Sequence, residues 1–336
     1  MNVVSADTLS KTVKIGDSLV GKVGFGAMLL TMTPNPVPYD QAFDAIKAGV
    51  DSMPAGVKLF INSGNFYGHD RPSANLDLLA AFYQKYPEHA ERTFLSVKAG
   101  CDGSERSVRR AVDNINKLLR GTKQLDLFEC ARVDPSVPIE ETTRTLRELI
   151  EEGEFSYIGM SEASSATIRK AHVVHPIAAV EIELSPWSYE GEAKKVIATS
   201  EELGIAVVGY SPLGHGFLTG QIKSRDDLPS GDARLRLDRF SKEGLKRNSN
   251  IVEGLKKIAE RKGISAAQLC IAWVANLGDH VMPLPGSSKS GRVLENLAAG
   301  LITFTKEEFD EIVQLVESLS VYGLRYNKAM EGTLWG

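Results

Sequence analysis

Two residues capable of joint acid–base chemistry stand at the ends of successive apolar runs. Tyr67 lies in Ile61-Asn62-Ser63-Gly64-Asn65-Phe66-Tyr67-Gly68, and Lys98 closes Leu95-Ser96-Val97-Lys98. A free tyrosine titrates near ~10, too high for an efficient acid at neutral pH. An adjacent ammonium stabilises tyrosinate and is expected to lower that value. Tyr67 would then give its proton to a carbonyl oxygen as hydride reaches the carbon. A surface tyrosine and an ordinary strand-end lysine fit the same spacing equally well.

Two glycine-rich loops offer a second chemistry. Gly209-Tyr210-Ser211-Pro212-Leu213-Gly214-His215-Gly216 follows the apolar run 205–208, and Pro285-Gly286-Ser287-Ser288-Lys289-Ser290-Gly291-Arg292 follows 281–284. Glycines let the backbone approach an anion closely, hydroxyls and N–H groups solvate it, and Lys289 with Arg292 neutralise it. In an eightfold βα barrel the loops after strands seven and eight commonly form such a site. Together they point to a phosphorylated cofactor, and so to an enzyme.

The elements that must position these residues alternate along the chain. Strands are expected at 23–26, 57–62, 93–98, 125–130, 157–161, 178–184, 205–210 and 281–284, with helical patterns between them at 39–53, 104–119, 138–152 and 164–174. Alternation of this kind predicts parallel strands with crossover helices, and eight strands fit a closed (β/α)8 TIM barrel of the α/β class. Val108, Ala111, Ile115, Leu118 and Leu119 share one helical face, and Pro138 is expected in the first turn of the next helix. No Pro-rich, Gly/Ser-rich or charge-run linker divides the chain, so residues 1–336 read as one domain. A long loop at 212–246 exceeds an ordinary βα connection. Beyond a further helix at 305–318, a tail at 319–336 is expected to fold back near the barrel mouth.

Composition narrows the function classes. The 336 residues carry 39 Lys and Arg against 43 Asp and Glu, a formal charge of −4, so nucleic-acid and anionic-membrane binding have little support. Three cysteines, Cys101, Cys130 and Cys270, argue against a disulfide framework or a zinc site and favour a reducing compartment. Met1 to Val20 lacks a signal-peptide pattern and no apolar stretch approaches a membrane span, so a cytoplasmic protein is expected. His172 and His175 suggest metal ligands only superficially, since no third ligand is evident, and the helix dipole accounts for them better.

The order and spacing of these motifs resemble the aldo-keto reductases, NADPH-dependent barrel oxidoreductases, over essentially the whole chain. The resemblance is carried by Val23-Gly24-Phe25-Gly26-Ala27-Met28, Phe66-Tyr67-Gly68, Val97-Lys98, Arg132-Val133-Asp134-Pro135, Ile158-Gly159-Met160-Ser161-Glu162, Tyr210-Ser211-Pro212-Leu213-Gly214 and Arg292-Val293-Leu294-Glu295-Asn296. It implies NADPH as cofactor, Tyr67 as proton donor and Lys98 as its partner. Gly26, Ala27 and Met28 fall among the cofactor contacts. Ser161 and Glu181 match carboxamide-binding positions, Glu162 occupies a cofactor position that is often Asn, and Tyr210 matches the ring that stacks on the nicotinamide. Ser211, Leu213 and Gly216 match the pyrophosphate segment, and Ser287 and Ser288 match phosphate contacts. Lys289 and Arg292 match the 2′-phosphate grip, and Glu295 and Asn296 match adenine contacts.

Two positions depart from that pattern. The usual catalytic aspartate falls at Asn62 and the usual active-site histidine at Ala131. His69, Arg132 and, in the tail, Arg325 are candidate substrate contacts that could compensate. These departures, with Asn62 to Gly68, Cys130 to Asp134 and Gly323-Leu324-Arg325-Tyr326-Asn327-Lys328, narrow the resemblance to fungal pyridoxal reductases. That implies reduction of pyridoxal to pyridoxine in vitamin B6 metabolism, with a small aldehyde as partner.

Other readings fit less well. Gly24 to Leu29 lacks the third glycine of a dinucleotide fingerprint, and Ser161 and Ser211 lack a nucleophile-elbow context. A general aromatic-aldehyde reductase remains the alternative within the enzymes. An NADPH-binding auxiliary subunit of a channel is the alternative outside them, distinguished by whether purified protein turns cofactor over with an aldehyde.

Overall fold

In the computed structural model, which describes residues 11–336, eight parallel strands form one sheet. The first ten residues, half of the polar N-terminal stretch, lie outside the described residues. An antiparallel hairpin comes first, β1 (Thr12–Ile15) and β2 (Ser18–Gly21). The sheet then runs in chain order through β3 (Phe25–Gly26), β4 (Leu59–Gly64), β5 (Thr93–Ala99), β6 (Leu127–Cys130), β7 (Tyr157–Ser161), β8 (Ile177–Glu183), β9 (Ala206–Tyr210) and β10 (Val281–Leu284). Gly24 N–H donates to Pro283 O at 2.9 Å and Gly26 N–H to Pro285 O at 3.0 Å, which joins the first strand to the last. The sheet is therefore a closed (β/α)8 barrel, and closure leaves no free strand edge.

Strand sequences explain the burial. Every residue of β4 and of β5 is buried, as expected where helices cover the outside and side chains fill the inside. Phe60, Phe94, Leu127, Ala179, Ala206, Val208, Met282 and Leu284 form an inner cluster, and Val13, Ile15 and Val20 of the hairpin join it from below. Phe94 stacks between Phe60 and Tyr157, with centroids 5.7 and 5.9 Å away. The hairpin was not anticipated from the sequence, where only its polarity stood out. Its alternate residues Val13 and Ile15 face the barrel floor, which period-two patterning over four residues signals only faintly.

Outside the barrel lie α1 (Tyr39–Asp51), α2 (Ala74–Lys85), α3 (Glu105–Leu119), α4 (Ile139–Glu151), α5 (Ser165–Val174) and α6 (Gly191–Leu203). They are followed by α7 (Lys242–Lys262), α8 (Ala266–Ala275), α9 (Ser290–Ala299), α10 (Lys306–Leu319) and α11 (Lys328–Glu331). Three local expectations need correction. Pro138 is the N-cap of α4 with extended backbone, one position before the first turn. The long loop ends at Ser241, because that side chain caps α7 by accepting the Gly244 N–H. His172 does not act as a cation on its helix end. It accepts the Ile177 N–H through Nδ1 at 3.1 Å, and burial, aided by His175, pushes its pKa down.

Phe94→Ala should empty the middle of the inner aromatic stack and cost about 3–5 kcal/mol of unfolding free energy. Urea denaturation measures it. A loss below about 1 kcal/mol would show that the barrel floor is not close-packed.

Candidate active site

The strands bring the two acid–base candidates together. Gly64 pairs with Lys98 across β4 and β5, so the chain leaving β4 carries Tyr67 over the end of β5. Thr31 Oγ1 donates to Tyr67 O at 2.6 Å. Asn75, fully buried on α2, donates to Ala27 O at 2.9 Å and to Thr31 Oγ1 at 2.6 Å, locking the loop after β3 against the same segment. Sequence reasoning missed Asn75. Its signal was a polar amide at the buried start of an apolar helix. The Lys98 ammonium lies 5.9 Å from the Tyr67 ring centroid and 5.6 Å from that of Tyr210.

Electrostatics here differ from expectation. Burial pushes the Tyr67 hydroxyl up to about 12; Lys98 pulls it down, and Glu181 and Glu129 oppose that pull. Desolvation outweighs the single ammonium, so the tyrosine is fully protonated at neutral pH rather than partly ionised. Burial alone would depress Lys98, but Glu181, Tyr67 and Glu129 together carry its pKa above the usual lysine range.

Glu181 is the reason. One of its oxygens contacts Lys98 Nζ directly, and the other accepts from Asn62 Nδ2 at 2.7 Å. Both oxygens are thus engaged inside the barrel. Asn62 Nδ2 also lies 3.4 Å from Glu129 Oε1. Gly159 makes room for Glu129, since a Cβ there would sit 3.3 Å from its Oε2 and 2.5 Å from Leu127. Burial and the neighbouring Glu181 raise the Glu129 pKa well above the carboxylate range. The sequence contained a signal for it, a charge between Phe128 and Cys130 near the end of the segment 125–130.

A second buried charge cluster ties down the tail. Arg325 pairs with Glu162 at 2.6 Å, Glu190 at 2.9 Å and Glu183 at 3.3 Å, and stacks on Trp335 at 5.1 Å. Its guanidinium is thus paired with three carboxylates, at a position the sequence suggested as a substrate contact. Glu162, with left-handed backbone at φ 53°, also accepts from the Glu183 N–H at 3.0 Å and Tyr210 Oη at 2.7 Å through Oε1. Tyr210 Oη meets Tyr326 Oη at 3.0 Å, and Gly336 N–H donates to Glu162 O at 3.2 Å. Burial would raise the Glu183 pKa, but the His215 ring, Arg325 and Arg239 hold it well below the usual carboxylate range.

The remaining candidates divide clearly. Leu284 pairs with Tyr210, so the loops beginning at Ser211 and Pro285 run side by side. Ser211, Gly214, His215 and Gly216 all take positive φ, and a Cβ on Gly286 would sit 2.8 Å from Gly26 O. Ser288 Oγ is engaged by Gln41 Nε2 at 3.3 Å, Ser287 Oγ by the Lys289 N–H at 3.2 Å, and Glu295 Oε1 by Ser265 Oγ at 3.0 Å. Leu213 is half-buried, Asn296 is buried and Met28 is exposed. His69 is exposed with its ring 3.1 Å from Asp70, and takes no part in the buried cluster. Arg132 donates to Ala131 O at 2.6 Å and makes no ion pair among the described residues.

Two observations show that a dinucleotide suits this surface. Ser161 Oγ, at the end of β7, is buried without a hydrogen-bond partner, as suits a group kept for a ligand amide. Lys289 and Arg292 are exposed and form no ion pair among the described residues, at the N-terminus of α9, whose first turn has no acid. A helix start combined with two free cations is an anion site.

Residues 22–317 match the Aldo/keto reductase family. The chain belongs to that family. Its members are oxidoreductases that use NADPH. It is 37% identical to "Probable pyridoxal reductase 2" of Schizosaccharomyces pombe over 327 residues, covering 94% of this chain and 97% of that protein. A glycerol dehydrogenase from Gluconobacter oxydans shares the fold with a TM-score of 0.78 at 22% identity, over 96% of this chain and 98% of its own. An aldo-keto reductase from Klebsiella pneumoniae, solved with NADPH, aligns with a TM-score of 0.69 at 20% identity, over 91% and 95% of the two chains. No helix among the described residues is long and apolar enough to cross a membrane.

Arg325→Ala leaves Glu162 and Glu183 buried without their cation and should cost about 3–5 kcal/mol of stability near pH 7. Glu183 has a depressed folded pKa, so its contribution is full above the ordinary value of 4.5 and is lost as pH falls below it. The gap between wild type and variant should therefore narrow from pH 7 towards pH 3 in urea melts. A gap that widens on acidification would contradict the pairing.

Proposed function

We propose that this chain reduces the aldehyde of pyridoxal to the alcohol of pyridoxine, with NADPH as hydride donor and Tyr67 as proton donor. The observation that carries the reading is the meeting of Tyr67, Lys98 and Tyr210 at the carboxyl end of the barrel, next to two anion-receptive loops. Hydride reaching a carbonyl carbon leaves charge on its oxygen. Tyr67, protonated and buried, supplies the proton to that oxygen, and Lys98 stabilises the tyrosinate that results. Ser161 is the proposed carboxamide contact, Tyr210 the ring beneath the nicotinamide, and the loop 211–216 the pyrophosphate bed. Lys289 and Arg292 are the proposed partners of the 2′-phosphate, because their charges otherwise go unmatched.

Pyridoxal as the substrate rests on different support. The fission-yeast relative carries that activity in its name. Position 131 offers only a methyl group, so no imidazole there can polarise the substrate carbonyl. Pyridoxal brings a phenolic hydroxyl beside its aldehyde, an internal donor that makes up for the missing side chain. Arg132, next to Ala131 and without a carboxylate partner, is the proposed contact for the ring substituents.

Replacing Lys289 and Arg292 together by Ala should weaken NADPH at least tenfold, about 1.4 kcal/mol, and leave NADH nearly unchanged. Fluorescence titration with both cofactors decides; equal losses would remove the assignment of these two residues. In a panel of aldehydes at saturating NADPH, pyridoxal should show a higher kcat/KM than benzaldehyde. Methylating its phenolic hydroxyl should erase most of that advantage. Pyridoxal reduced no better than benzaldehyde would overturn the substrate and leave the reductase standing.

A further inference from the structure

The position of the charge that balances Lys98 suggests how this barrel works without an acid at position 62. Asn62, on β4, has no charge to offer. Its amide instead reaches across the barrel and donates to Glu181 Oε2 at 2.7 Å, while Glu181 Oε1 contacts Lys98 Nζ. β8 is a neighbour of neither β4 nor β5, so only inward-pointing side chains can meet this way. Lys98 and Glu181 are both buried, and no other carboxylate forms an ion pair with Lys98 among the described residues.

We infer that Glu181 is a positioning residue for the reductase reaction, supplying from β8 the counter-charge that holds Lys98 beneath Tyr67, with Asn62 serving as the amide that orients it. This rests on the proposed Tyr67–Lys98 chemistry. A buried ammonium without a fixed counter-ion would withdraw towards solvent or lose its proton, and in either case would no longer stabilise a tyrosinate. The groups facing the pair are Tyr67 and Asn62 from the β4 side, Ser96 on β5, Glu129 on β6 and Tyr210 on β9. Glu129 is the nearest rival, but it forms no ion pair with Lys98 among the described residues, and burial beside Glu181 raises its pKa. Lys98 is thus paired with one carboxylate, that of Glu181.

The arrangement makes a reversal of sign the deciding test. Glu181→Gln keeps the shape and removes the charge, and should lower kcat with pyridoxal at least tenfold. KM should change less, and NADPH affinity should stay within about threefold by fluorescence. A carboxamide-binding role would instead appear as a large loss of NADPH affinity. Asn62→Asp alone adds a second ionised carboxylate beside Glu181 and should lower both kcat and Tm. Combined with Glu181→Gln, the same Asn62→Asp change should restore kcat to within about fivefold of wild type. Additive losses in the folded double variant, or parental kcat in Glu181→Gln, would overturn the inference. Should Glu181→Gln fold too poorly to assay, the double variant must still outperform Asn62→Asp alone in both kcat and Tm; a double no better than that single overturns it equally. If wild type itself consumes no NADPH with any aldehyde, the reductase reading fails first and takes the inference with it.

Discussion

Four glutamates are buried at the carboxyl end of this barrel, Glu129, Glu162, Glu181 and Glu183, none more than 2% exposed. An unpaired ionised carboxylate there would cost several kcal/mol, so each must be matched or neutralised. Lys98 takes Glu181, and Arg325 takes Glu162 and Glu183. Glu129 forms no ion pair among the described residues, and burial with the neighbouring Glu181 raises its pKa. This distribution fixes Lys98 beneath Tyr67 and brings the tail to the barrel mouth. Arg239, buried as well, adds a further positive charge beside Glu183.

The two charge clusters are joined through Tyr210. Its ring faces the Lys98 ammonium, and its hydroxyl donates to Glu162 and meets Tyr326. The tail is held further by Asn248, which bonds the backbone of Tyr322 on both sides at 2.9 and 3.0 Å. Arg239 donates to Ser188 Oγ at 2.6 Å and to Gly323 O at 3.3 Å. Residues 320–336 therefore form a wall of the site set by specific polar contacts. Small side-chain changes in it should act on the ring proposed to lie beneath the nicotinamide.

Much of the framework was legible in the sequence because it obeys local rules. The eight strand positions agree with the structure to within about two residues at each end, since apolar runs bounded by turn residues report strands directly. The positions of Tyr67, three residues past β4, and of Lys98, next to last in β5, were legible for the same reason. The identity of Lys98's partner was not. Asn62 contacts Glu181 across a closed barrel, and no spacing along the chain encodes which inward residues meet. The surroundings of Arg325 were hidden for a related reason: an arginine in a polar tail gives no local sign that three carboxylates will surround it. The clue available was Glu181-Ile182-Glu183 inside an otherwise apolar strand, where two charges must find partners.

The central claim is that Tyr67, kept protonated by burial and steadied by Lys98, delivers the proton. Tyr67→Phe removes one hydroxyl and nothing else, and single-turnover mixing of its NADPH complex with pyridoxal separates binding from chemistry. The account predicts unchanged NADPH affinity and a reduction rate lower by roughly 10²–10⁴-fold. A rate within a factor of about three of wild type would mean that another group donates the proton, and the account would fail.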